Sequence, residues 1–242
     1  MKLDKDYKKI IRQIEAWIEK KVIEAGCEGV VIGLSGGIDS SVTAVLCQRV
    51  FPKNTFGFIL PCQSSSQDRE DAVKVADKFG INYETYNLND TFKTLLKEIG
   101  SKEDDKLARA NIKPRLRMTV LYYYASIKNS LVVGTDNKSE LEIGYFTKHG
   151  DGGIDIAPLG GLVKTEVREI ARLLEIPEEI ITKPPSAGLW EGQTDEDELG
   201  ISYEELDKYL MTGKAREEVK EKVDKLKEKS RHKITPPPIF KP

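Results

Sequence analysis

Residues 30–46, "VVIGLSGGIDSSVTAVL", constrain the fold more than any other part of the chain. A short apolar run leads into the pair Gly36 and Gly37, which serines flank, and an apolar helical segment follows. A strand without polar positions suits a parallel sheet that is covered on both faces. A glycine pair directly before a helix favours a turn whose backbone N–H groups meet an anion at the helix N-terminus. The stretch therefore predicts a strand, an anion-binding loop and a helix in direct succession.

The rest of the pattern places this unit in an α/β fold. Strands are predicted at residues 29–34, 55–60, 81–88 and 130–135, and helices at 4–25, 40–50, 67–79, 90–99, 105–127, 164–174, 202–209 and 214–229. This alternation predicts a doubly wound, mostly parallel sheet with helices on both faces, and we expect five strands. The glycine-rich segment 145–161 is expected to be an ordered loop or a lid. The end "ITPPPIFKP" cannot be helical.

Length and composition bound the protein class. At 242 residues we expect a single domain, 1–242, with its core sheet at about 28–180 and C-terminal helices and a tail at 200–242. The 38 Lys and Arg nearly balance the 40 Asp and Glu, so charge does not indicate a nucleic-acid partner. Three cysteines without CxxC spacing favour neither a disulfide framework nor a zinc site. Without a signal peptide or a membrane span, we expect a cytoplasmic protein.

The loop contains an unusual set of side chains for a phosphate site. Ser35, Ser40 and Ser41 offer hydroxyl donors, but no lysine follows the glycines as it does in a Walker A motif. Asp39 would repel a polyphosphate unless a cation lies between them, which predicts a Mg²⁺ ligand. Simple γ-phosphoryl transfer is therefore not expected. The alternative is a glycine turn that only caps a helix.

The string SGGxDS after a buried strand resembles the pyrophosphate-binding loop of the N-type ATP pyrophosphatases, which have an adenine nucleotide alpha hydrolase-like, Rossmann-like fold. GMP synthetases, argininosuccinate synthetases, tRNA thiolases and NAD synthetases all carry such a loop. Four further stretches resemble the NAD synthetases in particular: "NIKPRLRMTVLYYYA", "VVGTDNKSELEIGYFTKHGDGGIDIAPLGGLVKTEVR", "KPPSAGLWEGQTDEDELG" and "HKITPPP". Together they cover nearly the whole chain.

The resemblance to the NAD synthetases implies an ATP site and a metal site. The implied ATP-binding residues are Gly33, Leu34, Ser35, Gly36, Gly37, Ile38, Asp39, Ser40, Thr135, Lys164 and Ser186. Asp39 and Glu140 would hold Mg²⁺, and Asp39 and Lys164 would be catalytic. The alternative for Glu140 is an ordinary exposed helical glutamate. Two positions depart from the family: Ser186 stands where many relatives have threonine, and Ile59 where many have an adenine-contacting arginine.

The resemblance also implies a site for nicotinic acid adenine dinucleotide (deamido-NAD). Its residues would be Arg115, Lys148, Asp155, His232 and Lys233. Basic groups suit a pyrophosphate and a carboxylate suits ribose hydroxyls. The plain alternatives are a solvated helix charge for Arg115 and a frayed basic tail for His232 and Lys233. Tyr145 and Phe146 are candidates for stacking on a nicotinate or adenine ring.

The activity implied by the resemblance is ATP-dependent amidation of deamido-NAD to NAD through an acyl-adenylate, with AMP and pyrophosphate as products. We expect free ammonia as the nitrogen donor, no fused glutaminase domain and a homodimer. One rival is sulfur transfer on the same loop, for which only Cys62 lies near the expected crevice. The other is a nucleotide sensor that binds ATP without turnover, which two carboxylates at the phosphates argue against.

Overall fold

Four parallel strands form the sheet that a computed structural model shows for this chain. The structure describes residues 5–102, 104–186 and 194–241, so residues 187–193 of "KPPSAGLWEGQTDEDELG" lie outside the described part. The strands are β1 (Gly29–Gly33), β2 (Thr55–Ile59), β3 (Asn82–Thr85) and β4 (Ser130–Val132). Their spatial order is β3-β2-β1-β4. All four predicted strands are present, each somewhat shorter than its apolar run.

The strand order reverses next to β1, and this reversal positions the site. Val30 pairs with Thr55 of β2 on one side, and Val31 pairs with Val132 of β4 on the other, both in parallel register. The chain leaves β1 toward β2, so the connections after β1 and β4 diverge and leave a crevice between them. Ligands of open parallel sheets bind in such a crevice at the carboxyl ends of the strands.

The prediction of five strands was wrong for the described residues. The pairing that comes nearest to a fifth strand is a single parallel bridge between Val133 and Ile156. The glycines and Pro158 around Ile156 cannot sustain an extended ladder, because glycine weakens strands and proline lacks an N–H donor. The α/β class and the parallel sheet with helices on both faces were predicted correctly.

Twelve helices are present in the described part of the chain. They are α1 (Tyr7–Glu24), α2 (Ile38–Val50), α3 (Ser66–Phe79), α4 (Asn89–Glu98), α5 (Lys106–Ala110), α6 (Ile112–Ile127), α7 (Lys138–Ile143), α8 (Lys164–Leu173), α9 (Glu178–Thr182), α10 (Asp195–Leu199), α11 (Tyr203–Thr212) and α12 (Glu217–Ile234). The helix predicted at 105–127 is broken at Asn111, and Pro114 lies in the first turn of α6, where proline is tolerated. The sequence did not reveal α9 or α10.

Successive residues of the central strand enter different layers of the core. Val30 packs with α1, α2 and α8, whereas Val31 packs with α4 and α6 on the opposite face. Ile32 returns to the first face, where it packs with α2 and α3. All three are fully buried, as the unbroken apolar run required. A separate apolar cluster joins α7 to α10, α11 and α12, so the C-terminal helices pack onto the helix that follows β4.

No helix within residues 5–102, 104–186 and 194–241 is long and apolar enough to cross a membrane. The three cysteines are free, and Cys47 and Cys62 are buried.

The loop after β1 depends on one glycine. Gly36 has φ +80°, and an added Cβ would stand 2.1 Å from the backbone oxygen of Asp68. Gly37 has φ −88°, and the nearest atom to an added Cβ is Ser35 Oγ at 3.4 Å. The two neighbouring glycines therefore differ sharply in what a methyl group would meet.

We expect Gly36→Ala to lower the free energy of unfolding by about 2–3 kcal/mol, because it combines left-handed backbone strain with a clash against backbone. Gly37→Ala is the matched control and should cost less than about 1 kcal/mol. Urea unfolding followed by circular dichroism checks both. Equal losses in the two variants would contradict this account of the loop.

Candidate active site

A cavity of about 680 Å³ lies at the carboxyl ends of β1 and β4. The loops that leave these two strands and the C-terminal part of α12 contribute to its wall. Most of the sequence-predicted ATP and metal residues line it: Gly33, Leu34, Ser35, Gly37, Ile38, Asp39, Ser40, Thr135, Glu140, Lys164 and Ser186. Gly36 turns away toward Asp68 and shapes the loop instead. The structure thus brings residues from four distant parts of the sequence to one crevice.

Serine hydroxyls hold the loop after β1 in shape. Ser35 Oγ and Ser40 Oγ are 2.9 Å apart, and the backbone N–H of Gly37 donates to Ser35 Oγ at 3.2 Å. Ser41 was considered as a phosphate donor, but it is buried and donates to the backbone oxygen of Gly37 at 2.8 Å. No side chain caps α2, so its first N–H groups face the cavity. A helix N-terminus in this state attracts anions.

Lys164 joins the two carboxylates that the sequence predicted as metal ligands. Its Nζ lies 2.5 Å from Asp39 Oδ2 and 3.0 Å from Glu140 Oε1. The Lys164 side chain is 3% exposed, and those of Asp39 and Glu140 are 15% and 12% exposed. The three charged groups are thus packed together at the wall of the cavity with little contact to bulk solvent.

The helix termini that carry these groups fix their positions. Asn137 caps α7, and Glu140 Oε2 accepts from the backbone N–H of Asn137 at 3.1 Å, which completes a capping box. The Asn137 side-chain amide donates to Asp39 Oδ1 at 2.8 Å. Lys164 is the first residue of α8. The local sequence "DNKSE" is therefore a helix start whose capping residue also orients the carboxylate of Asp39.

Burial raises the pKa of Glu140 to about 7, and Asp39 adds to this effect although Lys164 opposes it. Burial alone would lower the pKa of Lys164, but Asp39 and Glu140 outweigh burial and raise it. Asp136 is 6% exposed, and its Oδ2 has no hydrogen-bond partner. Burial and the carboxylates of Asp151, Glu140 and Asp39 raise the pKa of Asp136 well above its usual range. The site therefore gathers more carboxyl groups than one lysine can neutralise, and their raised pKa values favour the protonated, uncharged form.

The donor set suits Mg²⁺, provided that a polyphosphate supplies further oxygens. Mg²⁺ is usually held by one or two carboxylates together with substrate phosphates. Asp39 and Glu140 offer two carboxylate oxygens that converge on one point, which Lys164 Nζ now contacts. Within the described residues no cluster of three or more His, Cys, Asp or Glu side chains has metal-binding geometry. The protein residues fit a metal that arrives with its nucleotide rather than a closed structural site.

The basic residues predicted for the dinucleotide lie close to one another. Arg115 Nε donates to the backbone oxygen of Lys148 at 3.3 Å, and Lys148 Nζ donates to that of His232 at 2.7 Å. Lys233 Nζ donates to the backbone oxygens of Gly144 and Phe146 at 2.7 and 2.8 Å. His232 and Lys233 lie in the last turn of α12, not in an extended tail.

Of the five residues predicted for the dinucleotide, His232 and Lys233 line the cavity, whereas Arg115, Lys148 and Asp155 do not. Its Oδ2 accepts from the backbone N–H of Val132 at 2.7 Å, and its Oδ1 accepts from Tyr122 Oη at 3.0 Å. Asp155 therefore supports the end of β4, and it remains exposed on its outer side. The structure does not bring Asp155 together with the other four.

Two cavity cations were missed by the sequence reasoning. Arg117 donates to the backbone oxygen of Leu60 and to Ser64 Oγ, both at 3.0 Å, so a guanidinium reaches the region where Ile59 replaces the family arginine. Lys183 Nζ lies 2.8 Å from Asp68 Oδ1 and 2.6 Å from Asp71 Oδ2. The sequence did contain one signal for Arg117. It follows Arg115 by two residues in a predicted helix, and residues at that spacing point to different faces, so Arg117 could have been expected to reach a different surface from Arg115.

Comparison with known proteins gives one consistent family. The family model described as NAD synthase matches residues 10–237. The NH(3)-dependent NAD(+) synthetase of Carboxydothermus hydrogenoformans is 51% identical over 92% of this chain and 93% of its own length. Two solved structures cover 98% of this chain and all of theirs. One is an NMN synthetase from Francisella tularensis, with TM-score 0.92 and 38% identity. The other is an NH3-dependent NAD synthetase from Campylobacter jejuni, with TM-score 0.82 and 32% identity.

We expect Lys164→Met to destabilise the protein by about 3 kcal/mol near pH 8, because two enclosed carboxylates lose their shared cation. The loss should be smaller near pH 5. In the folded chain the pKa of Glu140 is about 7, above its ordinary value of 4.5. At pH 5 Glu140 is therefore protonated and neutral, so it loses little when Lys164 is removed. Urea unfolding at the two pH values measures the difference.

Lys227→Met is the matched control, since Lys227 pairs with Glu142 at 2.7 Å on the exposed surface. Its loss should stay below about 1 kcal/mol and should not depend on pH in the same way. A Lys164→Met variant with the same small loss would show that the ion pairs in the site contribute little.

Proposed function

The chain belongs to the NAD synthase family, and we propose that it is an ammonia-dependent ligase that converts nicotinic acid adenine dinucleotide to NAD, the last step of NAD biosynthesis. The observation that carries this proposal is the Asp39–Lys164–Glu140 cluster beside the uncapped N-terminus of α2. This arrangement provides for a departing pyrophosphate and its cation without a Walker A lysine in the loop.

The reaction follows from the weakness of a carboxylate as an electrophile. A nicotinate oxygen attacks the α-phosphorus of ATP, the bond between that phosphorus and the bridging oxygen breaks, and pyrophosphate leaves. Ammonia then attacks the carbonyl carbon of the acyl-adenylate, loses a proton and expels AMP, which leaves the amide. Neither step needs a side-chain nucleophile, so the protein contributes alignment and charge neutralisation.

ATP would lie along the loop after β1. Gly33, Leu34, Ser35, Gly36, Gly37, Ile38 and Ser40 would shape the phosphate cradle, with the α2 N-terminus aimed at the leaving pyrophosphate. Thr135 would add a hydroxyl from the end of β4, and Ser186 would add one from the rim. Lys164 would supply the positive charge that the loop lacks, because its ammonium is already held within 2.5 Å of the Asp39 carboxylate.

Asp39 and Glu140 would hold Mg²⁺ together with the ATP phosphates. The ion would neutralise the charge that develops on the leaving pyrophosphate. With the ion present, Lys164 no longer needs to balance both carboxylates and becomes available to a phosphate oxygen. The excess of carboxylate over ammonium charge in the site supports a second cation.

The dinucleotide would bind along the basic group of Arg115, Lys148, His232 and Lys233. Their mutual contacts support a common role for them. Tyr145 and Phe146 line the adjoining cavity wall and offer aromatic rings for stacking. Asp155 would take part only from its exposed outer side, which is consistent with a site that a second subunit completes.

A homodimer in the cytoplasm is part of the proposal. Tyr123 and Ile127 of α6 are 63% and 58% exposed, and exposed apolar residues on one helix suit a subunit interface. Ammonia would arrive free in solution or from a separate protein.

Nicotinic acid mononucleotide is a second candidate substrate. The observation that favours it is the high structural similarity to an enzyme described as an NMN synthetase. The chemistry at the α-phosphate and the carboxylate would be unchanged. Only the adenylate half of the acceptor would be absent.

We expect Mg-ATP, ammonium and nicotinic acid adenine dinucleotide to yield AMP, pyrophosphate and NAD in equal amounts. Liquid chromatography of the reaction mixture measures these products. The kcat/KM for the dinucleotide should be about tenfold or more higher than that for the mononucleotide. A preference for the mononucleotide would move the assignment to that substrate, and ADP as product would refute both.

Asp39→Asn should reduce kcat by about a hundredfold or more, because it removes a charge from the metal and phosphate site. Asp77→Asn, on the exposed side of α3, is the control and should keep normal turnover. Thermal unfolding confirms that both variants fold. Normal turnover by Asp39→Asn would remove this residue from the mechanism.

A further inference from the structure

Helix α11 packs against the two helices that carry Glu140 and Lys164. Its apolar residues, including the fully buried Leu206, join the cluster that contains Ile143 of α7. Two residues of α11 carry polar groups into the same buried surface. Tyr203 and Asp207 are four positions apart, so both lie on one face of the helix. They are 1% exposed each, and neither belongs to the residues that the reaction itself requires.

Tyr203 reaches both partners of the ion pair. Its hydroxyl lies 3.3 Å from Glu140 Oε1, the same oxygen that contacts Lys164, and 3.1 Å from Asp195 Oδ2. Lys164 Nζ lies 5.0 Å from the centre of the Tyr203 ring. A cation above an aromatic face is attracted to it, and a hydroxyl donor stabilises a carboxylate. One side chain thus restricts the orientation of the carboxylate and of the ammonium.

Asp207 acts one turn further along α11. Its Oδ1 accepts from Ser139 Oγ at 2.5 Å, and its Oδ2 accepts from the backbone N–H of Thr165 at 2.7 Å. Ser139 Oγ accepts in turn from the backbone N–H of Lys164 at 3.2 Å. A carboxylate at the first turn of α8 is stabilised by the helix dipole. Asp207 therefore ties the residue before Glu140 to the residue after Lys164.

We propose that Tyr203 and Asp207 are positioning residues, which set the distance between the Glu140 carboxylate and the Lys164 ammonium and thereby the affinity for the metal–nucleotide complex. This inference rests on the proposed function. Packing alone would be satisfied by phenylalanine at 203 and by a neutral residue at 207. The structure instead directs a buried hydroxyl and a buried carboxylate at the helix starts that carry the two charged groups.

Tyr203→Phe keeps the ring and removes only the hydroxyl, so it separates positioning from packing. We expect the half-saturating Mg²⁺ concentration to rise about tenfold and kcat to fall severalfold, since partners of metal ligands affect metal affinity on this scale. The KM for the dinucleotide should stay within about twofold, because Tyr203 contacts none of the basic residues proposed for it. Tyr209→Phe is the matched control, because Tyr209 also lies on α11 and its hydroxyl is 3.3 Å from Asp224 of α12.

A second measurement does not depend on turnover. Mn²⁺ binding in the presence of α,β-methylene-ATP, followed by electron paramagnetic resonance, should weaken in Tyr203→Phe and remain normal in Tyr209→Phe. Failure of the wild-type protein to form NAD would refute the proposed function and leave this binding test standing. Unchanged Mn²⁺ affinity and unchanged kcat in Tyr203→Phe would overturn the positioning role of Tyr203.

Asp207→Asn and Ser139→Ala test the other half of the network. Both disturb the same hydrogen-bonded chain to the backbone of Lys164, the first by replacing the acceptor carboxylate with an amide and the second by removing the hydroxyl, so the Mn²⁺ affinity of the double variant should equal that of the weaker-binding single variant. If Asp207→Asn does not fold, Ser139→Ala alone should still weaken Mn²⁺ binding severalfold. Additive effects in the double variant, or normal binding by Ser139→Ala, would overturn the role of Asp207.

Discussion

An enclosed ammonium must be paired with carboxylates, and this requirement organises the whole site. Lys164 is almost fully buried and lies within hydrogen-bond distance of Asp39 and Glu140, which come from α2 and α7. An unpaired charge in such a place would cost several kcal/mol. This cost favours the arrangement in which the starts of α2, α7 and α8 bring the three charged groups together. The parallel sheet makes this meeting possible, because it delivers the loops after β1 and β4 to the same edge.

The pairing also leaves some carboxyl groups of the site without a cation. Asp136 has an unpartnered oxygen, and burial together with its acidic neighbours raises its pKa, so one ammonium does not balance the local carboxylates. A nucleotide alone would add more negative charge to this region. Under the proposed function, a nucleotide that arrives with a divalent cation would restore the balance.

The sequence predicted the elements well and the connections between them less well. The buried strands were recognisable from unbroken apolar runs, and "SGGIDS" predicted an anion site in a loop that the structure places at the cavity. The fifth strand failed because periodicity cannot show that a glycine-rich segment forms a single bridge. The roles of Arg117 and Tyr203 depend on contacts with Leu60 and Glu140, which lie 57 and 63 positions away in the sequence, and no local pattern encodes such contacts. Asp155 stays a prediction of the family resemblance, and no local pattern indicated that its hydrogen bonds would also hold the end of β4.

The end of α12 forms part of the cavity wall, and Lys233 holds the turn after α7 through the backbone oxygens of Gly144 and Phe146. Gly144 itself is pressed against Ser230, where an added Cβ would stand 2.1 Å from the serine Cβ. During synthesis the sheet and the loop after β1 leave the ribosome long before this helix does. The wall of the cavity is therefore complete only after residue 233 has emerged, although the loop after β1 that forms part of the same wall is made within about the first 40 residues.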